Sequence, residues 1–254
     1  MKTHLTIVLA LASLLSAAPV LHAAGLFDFL GLGKGSTNTP VAAVATASGL
    51  SEQQITDGLK EALAKGVTLA VTNLGRPDGF LKDPKVRIPM PENLRRVEKT
   101  LRSVGQDKLA DDFVNTMNHA AEQAVPEATA VLGGSVKKMS VTDARSILTG
   151  TNTAATDYFR RTSETNLYAR FLPIVRQATA KTGVTSTYKQ MIDKLGFAGA
   201  FLNKDAGDLD GYVTRKTLDG LFVKIAEEEA SIRANPAART TALLEKVFGA
   251  ATNK

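Results

Sequence analysis

SEQQITDGLKEALAKGVTLAVTNLG, residues 51–75, decides the fold class. Ser51 with Gln54 three positions on is a capping-box signature, in which each residue's side chain satisfies the other's backbone N–H. Ile55, Leu59, Leu63, Val67, Val71 and Leu74 then recur every three or four residues, which places them on one face of a helix that Gly75 ends. The pattern persists downstream. Pro91 reads as the first residue of a second helix, with Leu94, Val97, Leu101 and Val104 as its stripe and Gly105 as its stop. Asp107 reads as the cap of a third, which carries Leu109, Phe113, Met117, Ala120 and Ala124. Pro126 opens a fourth through Val131 and Leu132, and Ser140 with Asp143 caps a short piece ending at Gly150. Thr153 caps a helix with Tyr158 and Phe159. A further helix carries Leu167, Phe171, Ile174 and Val175, with a kink at Pro173. Others are expected near 185–195, from Asp208 or Leu209 to just before Pro236, and around Leu243, Leu244, Val247 and Phe248.

Only Lys85-Val86-Arg87-Ile88, between Pro84 and Pro89, reads as extended, because residues before proline avoid the helical region. No succession of period-2 segments exists, and no repeat at 20–50 residues appears. The expectation is an all-α fold: one multi-helix, bundle-like domain of about eight to ten helices over residues 50–250, with one extended proline-containing loop.

The segments ahead of this domain differ in kind. Residues 1–24 read as a secretory signal peptide: Lys2 and His4, an apolar run over residues 5–15, Pro19, then Ala23 and Ala24. Cleavage is expected near Ala23 or Ala24. A membrane-spanning helix needs about 20 apolar residues, so no transmembrane segment is expected in the mature chain. Residues 25–49 read as a flexible linker, apolar at Leu26, Phe27, Phe29, Leu30 and Leu32, then rich in Gly, Ser, Thr and Pro. The expected location is the periplasm. The 254 residues include no Cys, which excludes disulfides, thiolate nucleophiles and thiolate metal sites. Losing Lys2 with the signal peptide takes the net charge from +6 to +5. That is mild, and without Trp or an Arg/aromatic pattern no nucleic-acid partner is expected.

The chemistry-bearing residues are few. His119 is the one histidine beyond the signal peptide, so any histidine-based triad depends on it. With Glu122 three residues on, it offers two weak candidate metal ligands, or a surface histidine on an amphipathic helix. Ser135 with Lys138, Ser186 with Lys189 and the Lys181-Thr182-Gly183 triplet echo penicillin-binding enzymes, but the intervening Ser-x-Asn element and the strand are missing. Asp208 and Asp210 before Gly211 hint at a calcium loop whose first and twelfth positions, Ala206 and Thr217, are wrong. Residues 82–102 hold seven basic residues against three acidic, and residues 205–229 reverse the balance with seven acidic against three. Arg87, Arg95 and Arg96 are therefore the candidates for binding a small anion. The alternative is that the two segments pack together as internal ion pairs.

Six stretches carry a family resemblance: GLKEAL (58–63), VRIPMPENLRRVEKTLRSVG (86–105), MNHAAEQAVPEA (117–128), YFRRT (158–162), YVTRKTLDGLF (212–222) and AEEEASIRANPAARTTALLEKVFG (226–249). In these, over residues 50–249, the chain resembles the bacterial family catalogued as domain of unknown function 4197 (DUF4197). The resemblance implies an exported, helical cell-envelope protein of Gram-negative bacteria with no agreed activity. This chain departs from the family pattern in placing histidine at 119, where a basic residue is usual, and in lacking the Cys of lipoprotein relatives.

The functional expectation is a non-catalytic periplasmic protein that binds a small anionic or amphiphilic ligand or an envelope partner, without a cofactor. Two alternatives stand beside it: a metal- or carboxylate-dependent hydrolase using His119 and Asp/Glu, and a peripheral protein docked on anionic lipid.

Overall fold

The first helix forms as its pattern requires. In the computed structural model, α1 spans Glu52–Gly75, and both capping-box bonds are present: Ser51 Oγ accepts from Gln54 N, and Gln54 Oε1 accepts from Ser51 N. The structure describes residues 51–181 and 208–234, together with Ser186 and Gln190. All of them belong to one unit, Thr39–Lys254. The signal peptide, the linker, the helix expected near 243–248 and, apart from those two helical positions, the helix near 185–195 lie outside the described residues.

Six further helices follow: α2 Arg95–Ser103, α3 Asp107–Ala124, α4 Ala128–Lys138, α5 Val141–Thr149, α6 Ala154–Lys181 and α7 Leu209–Ala234. Short 3-10 turns, Glu92–Leu94 and Val125–Glu127, lead into α2 and α4. Among the described residues there is no strand. The fold is all-α, as the periodicity required.

The long helices α6 and α7 pack along one another, with α3 against α6 and α1 against α7 and α4. Phe113, Phe159, Phe171 and Phe222 are fully buried among them, with Leu59, Leu74 and Met117. Each such side chain contributes about 1.5–3 kcal/mol through the apolar surface it removes from water. Phe80 joins this core from a loop. It lies against Gly220 of α7, where a Cβ would stand 2.7 Å from the Phe80 ring, so glycine makes the close approach possible.

Several boundaries differ from expectation. Asp107 is the first residue of α3 rather than its cap; Gln106 precedes it with no side-chain bond, and the Asp107 carboxylate turns to Arg102 Nη1 at 3.4 Å. Pro91 precedes a 3-10 turn instead of opening a helix. The two helices expected around Tyr158 and Phe171 are one, which runs on past Pro173 to Lys181. No cap or breaker lies between Phe159 and Leu167, and buried Ser163 finds a partner in Ser135 Oγ at 2.7 Å. The start of α6 is satisfied by the buried Glu229 of α7, whose carboxylate accepts from Ala155 N, Thr156 N and Thr156 Oγ1 at 2.9–3.0 Å. Glu229 also holds Arg233, four residues on along α7, at 2.8 Å.

Candidate functional site

After Gly75 the chain reads RPDGFLKDPKVRIPMP, residues 76–91, with no regular helix or strand. A segment this long in a helical domain needs partners for its backbone groups. α3 supplies them. Glu122, 6% exposed, points its carboxylate into the turn. Oε1 accepts from Phe80 N at 3.1 Å and Leu81 N at 3.3 Å, and Oε2 from Asp78 N at 3.2 Å. Asn118, one helical turn earlier and fully buried, accepts from Ile88 N at 2.8 Å and donates to Ile88 O at 2.9 Å. One face of α3 thus grips both ends of the segment. Tyr212 of α7 adds a bond from its hydroxyl to Pro89 O at 3.0 Å.

The grip fixes an unusual backbone. Asp78 has φ 63°, a left-handed conformation uncommon for a side chain with a Cβ and tolerated best by Asn and Asp. Gly79 lies so close to the end of α1 that a Cβ would meet Asn73 O at 2.4 Å and Leu74 O at 2.5 Å. The stretch expected to be extended divides. Lys85 and Val86 sit in a turn closed by Asp83, whose carbonyl accepts from Val86 N and Arg87 N. Residues 87–91 carry neither helix nor turn.

Between this loop, the end of α1 and Lys224 of α7 opens a cleft of about 350 Å³. Its lining includes Asn73, Arg76, Asp78, Lys82, Asp83 and Lys224. Lys82 Nζ lies 2.8 Å from Asp78 Oδ2, and Lys224 Nζ 3.1 Å from Asp83 Oδ2. Lys224 also binds Glu227, which accepts from Lys85 Nζ at 2.7 Å. Basic and acidic segments therefore meet as ion pairs at Lys85, Asp83, Lys224 and Glu227. The hydrogen bond to Glu227 raises the Lys224 pKa against the effect of burial, helped by Asp83. Burial acts to raise Asp83, but the Lys85 N–H and the Lys224 ammonium outweigh it and hold the carboxyl below its usual range. The hydrogen bond from Lys82 does the same for Asp78. Lys224, held as an ammonium, is thus unsuited to act as a nucleophile or base at neutral pH. Arg76 is exposed and makes no ion pair with a described residue.

The residues singled out from sequence lie elsewhere. Arg87, Arg95 and Arg96 are all exposed, and none lines the cleft. Arg95 is bonded to Glu92 at 2.7 Å, while Arg87 and Arg96 make no ion pair with a described residue. His119 Nδ1 stands 2.8 Å from Glu122 Oε2, so these two do meet. Glu122, however, is engaged by the loop amides, and among the described residues no three His, Asp or Glu converge on a metal site. Ser135 bonds Ser163, and Asp208 accepts from Gly211 N while Asp210 accepts from Thr179 Oγ1. Sequence reading passed over Asn118 and the loop-holding role of Glu122. Their signal was two polar side chains four residues apart on a helix face otherwise made of apolar residues, among them Phe113, Val114, Met117 and Ala121.

Among the described residues no helix is long and apolar enough to cross a membrane. No curated protein and no solved structure matches the chain. The family model described as "Protein of unknown function (DUF4197)" matches residues 49–249, a range that includes every described helix and the loop. On that match, the chain belongs to the DUF4197 family.

Proposed function

We propose that this is an exported, non-catalytic binding protein of the bacterial envelope whose site for a small anionic ligand is the cleft beneath residues 76–84. The observation that carries the reading is the cleft itself: about 350 Å³, walled by a loop whose left-handed Asp78 is fixed from below by buried Glu122. Its size lies at the lower end of the usual small-molecule range of roughly 300–1,000 Å³. A loop held by two buried polar side chains is pre-organised, so little ordering cost falls on binding. Arg76 provides a planar fork suited to carboxylate or phosphate. The export half of the reading rests on residues 1–24 and places the protein in the periplasm after cleavage near Ala23 or Ala24.

Thermal denaturation with and without inorganic phosphate or acetate tests the site. Stabilisation by either anion that Arg76→Ala removes is the expected result. The same response in Arg76→Ala, or none in the unsubstituted chain, would overturn it. Fractionation of expressing cells with N-terminal sequencing tests export, and a cytosolic chain starting at Met1 would refute it.

A further inference from the structure

We infer that the ligand of this cleft is a polyhydroxylated anion, a small sugar acid or polyol phosphate, held by its anionic group at Arg76 and Lys82 and by its hydroxyls at Asp78, Asp83 and Asn73. This rests on the reading of the cleft as an anion site and narrows it.

The argument is one of charge and hydrogen-bond capacity. Arg76 has no ion-pair partner among the described residues, and the Lys82 side chain is 76% exposed, engaged only in a surface pair with Asp78. Such a pair is worth little and exchanges readily for a ligand. These two cations fit one anionic group. The rest of the lining does not fit more negative charge, because its third cation, Lys224, is already held by Asp83 and Glu227. Asp78 and Asp83 are carboxylates, and the carbonyls of Asn73 and Leu74 crowd Gly79 at the end of α1. That end carries the negative pole of the helix, and the last turn of α1 holds no basic side chain. A compact polyanion filling the cleft would meet repulsion from all of these. Hydroxyl groups would not, because ionised carboxylates only accept hydrogen bonds and each has room for about four. Asp78 gives one oxygen to Lys82, and Asp83 uses its oxygens for Lys85 N and Lys224, so both retain capacity. Both carboxyls are held below their usual pKa range and remain acceptors at neutral pH. Exposed Pro84 supplies a small apolar surface for the carbon-bound face of a polyol.

Isothermal titration calorimetry of the chain with inorganic phosphate, glycerol 3-phosphate, glucose 6-phosphate and neutral glucose separates the possibilities. At least one phosphate ester is expected to bind about tenfold tighter than inorganic phosphate, with glucose much weaker than either. Asp78→Asn keeps a residue that accepts a left-handed φ and is expected to shrink the tenfold preference to about twofold. Arg76→Ala is expected to weaken phosphate and ester alike. Asn73→Ala, on the exposed end of α1, replaces Asp78→Asn if the latter fails to fold. Equal affinity for phosphate and its esters, with both lost in Arg76→Ala, overturns this inference and leaves the anion site standing. Glucose binding as tightly as its phosphate overturns it too. Absence of binding by all four, or binding indifferent to Arg76→Ala, removes the anion site and the inference together.

Discussion

Replacing Glu122 with alanine should loosen the 76–82 turn without unfolding the domain. The carboxylate accepts three backbone N–H groups, from Asp78, Phe80 and Leu81, and Phe80 itself is fully buried. An unsatisfied buried amide costs about 1–3 kcal/mol. With one donor buried and two partly so, the loss is about 4 kcal/mol, in line with the cost of breaking a buried charged contact. Domains of this kind have about 5–15 kcal/mol in hand, so the variant should fold. For a urea m-value of about 2 kcal/mol per molar, the unfolding midpoint should fall by about 2 M. Glu122→Gln should fall about half as far, since one amide oxygen still serves Phe80 and Leu81 while the contact to Asp78 N is lost. Hydrogen exchange supplies the local readout: the Phe80 and Leu81 amides should lose protection in Glu122→Ala while those of α6 respond only through global stability. A midpoint shift below about 0.5 M, or unchanged protection at Phe80 and Leu81, would refute the reasoning that this carboxylate holds the loop.

Asn118→Ala orphans both polar groups of buried Ile88 and should cost about 3 kcal/mol by urea unfolding; a loss under about 1 kcal/mol would show that the segment relaxes to find other partners. Gly220→Ala sets a Cβ 2.7 Å from the Phe80 ring and 3.2 Å from Val86, so overpacking should destabilise by about 1–3 kcal/mol, and a neutral or stabilising result counts against the close approach. Asp83 and Glu227 have folded-state pKa values below their usual range, so the stability they contribute is present above about pH 4 and is lost as pH falls through those lowered values. Lys224→Met removes their shared partner, and the stability gap between it and the unsubstituted chain should be wide at pH 7 and close toward pH 2; a gap that stays constant would break the assignment.

Much of the scaffold was legible because the cues are local. Ser51 with Gln54 and Ser140 with Asp143 form the capping boxes their spacing announced, and Ile55, Leu59, Leu63, Val67, Val71 and Leu74 are all buried. The same kind of cue placed Thr153 correctly at the start of α6, where its carbonyl accepts from Asp157 N, although the amides its side chain would cap are satisfied by Glu229, 73 residues or more away in sequence. It failed at Asp107 because Arg102 competes for the carboxylate. For the cleft, charge counting pointed to the two segments that meet there but not to the side chains that line it. The basic run and the acidic helix do meet, through Lys85 and Lys224, yet Arg87, Arg95 and Arg96 face solvent outside the cleft, and Arg76 had drawn no notice.

The periodicity of the chain by itself determined that it is helical, because apolar residues three and four apart have a face to bury only when wound as a helix. Its stretches likewise carried the family. Where the irregular loop goes was decided only by tertiary structure. The amides of Asp78, Phe80, Leu81 and Ile88 needed acceptors that no neighbouring residue offers, and α3 brings Glu122 and Asn118 to them from 30 to 44 positions away. A left-handed aspartate and the cleft beside it exist because those long-range bonds outweigh the local preference of the backbone.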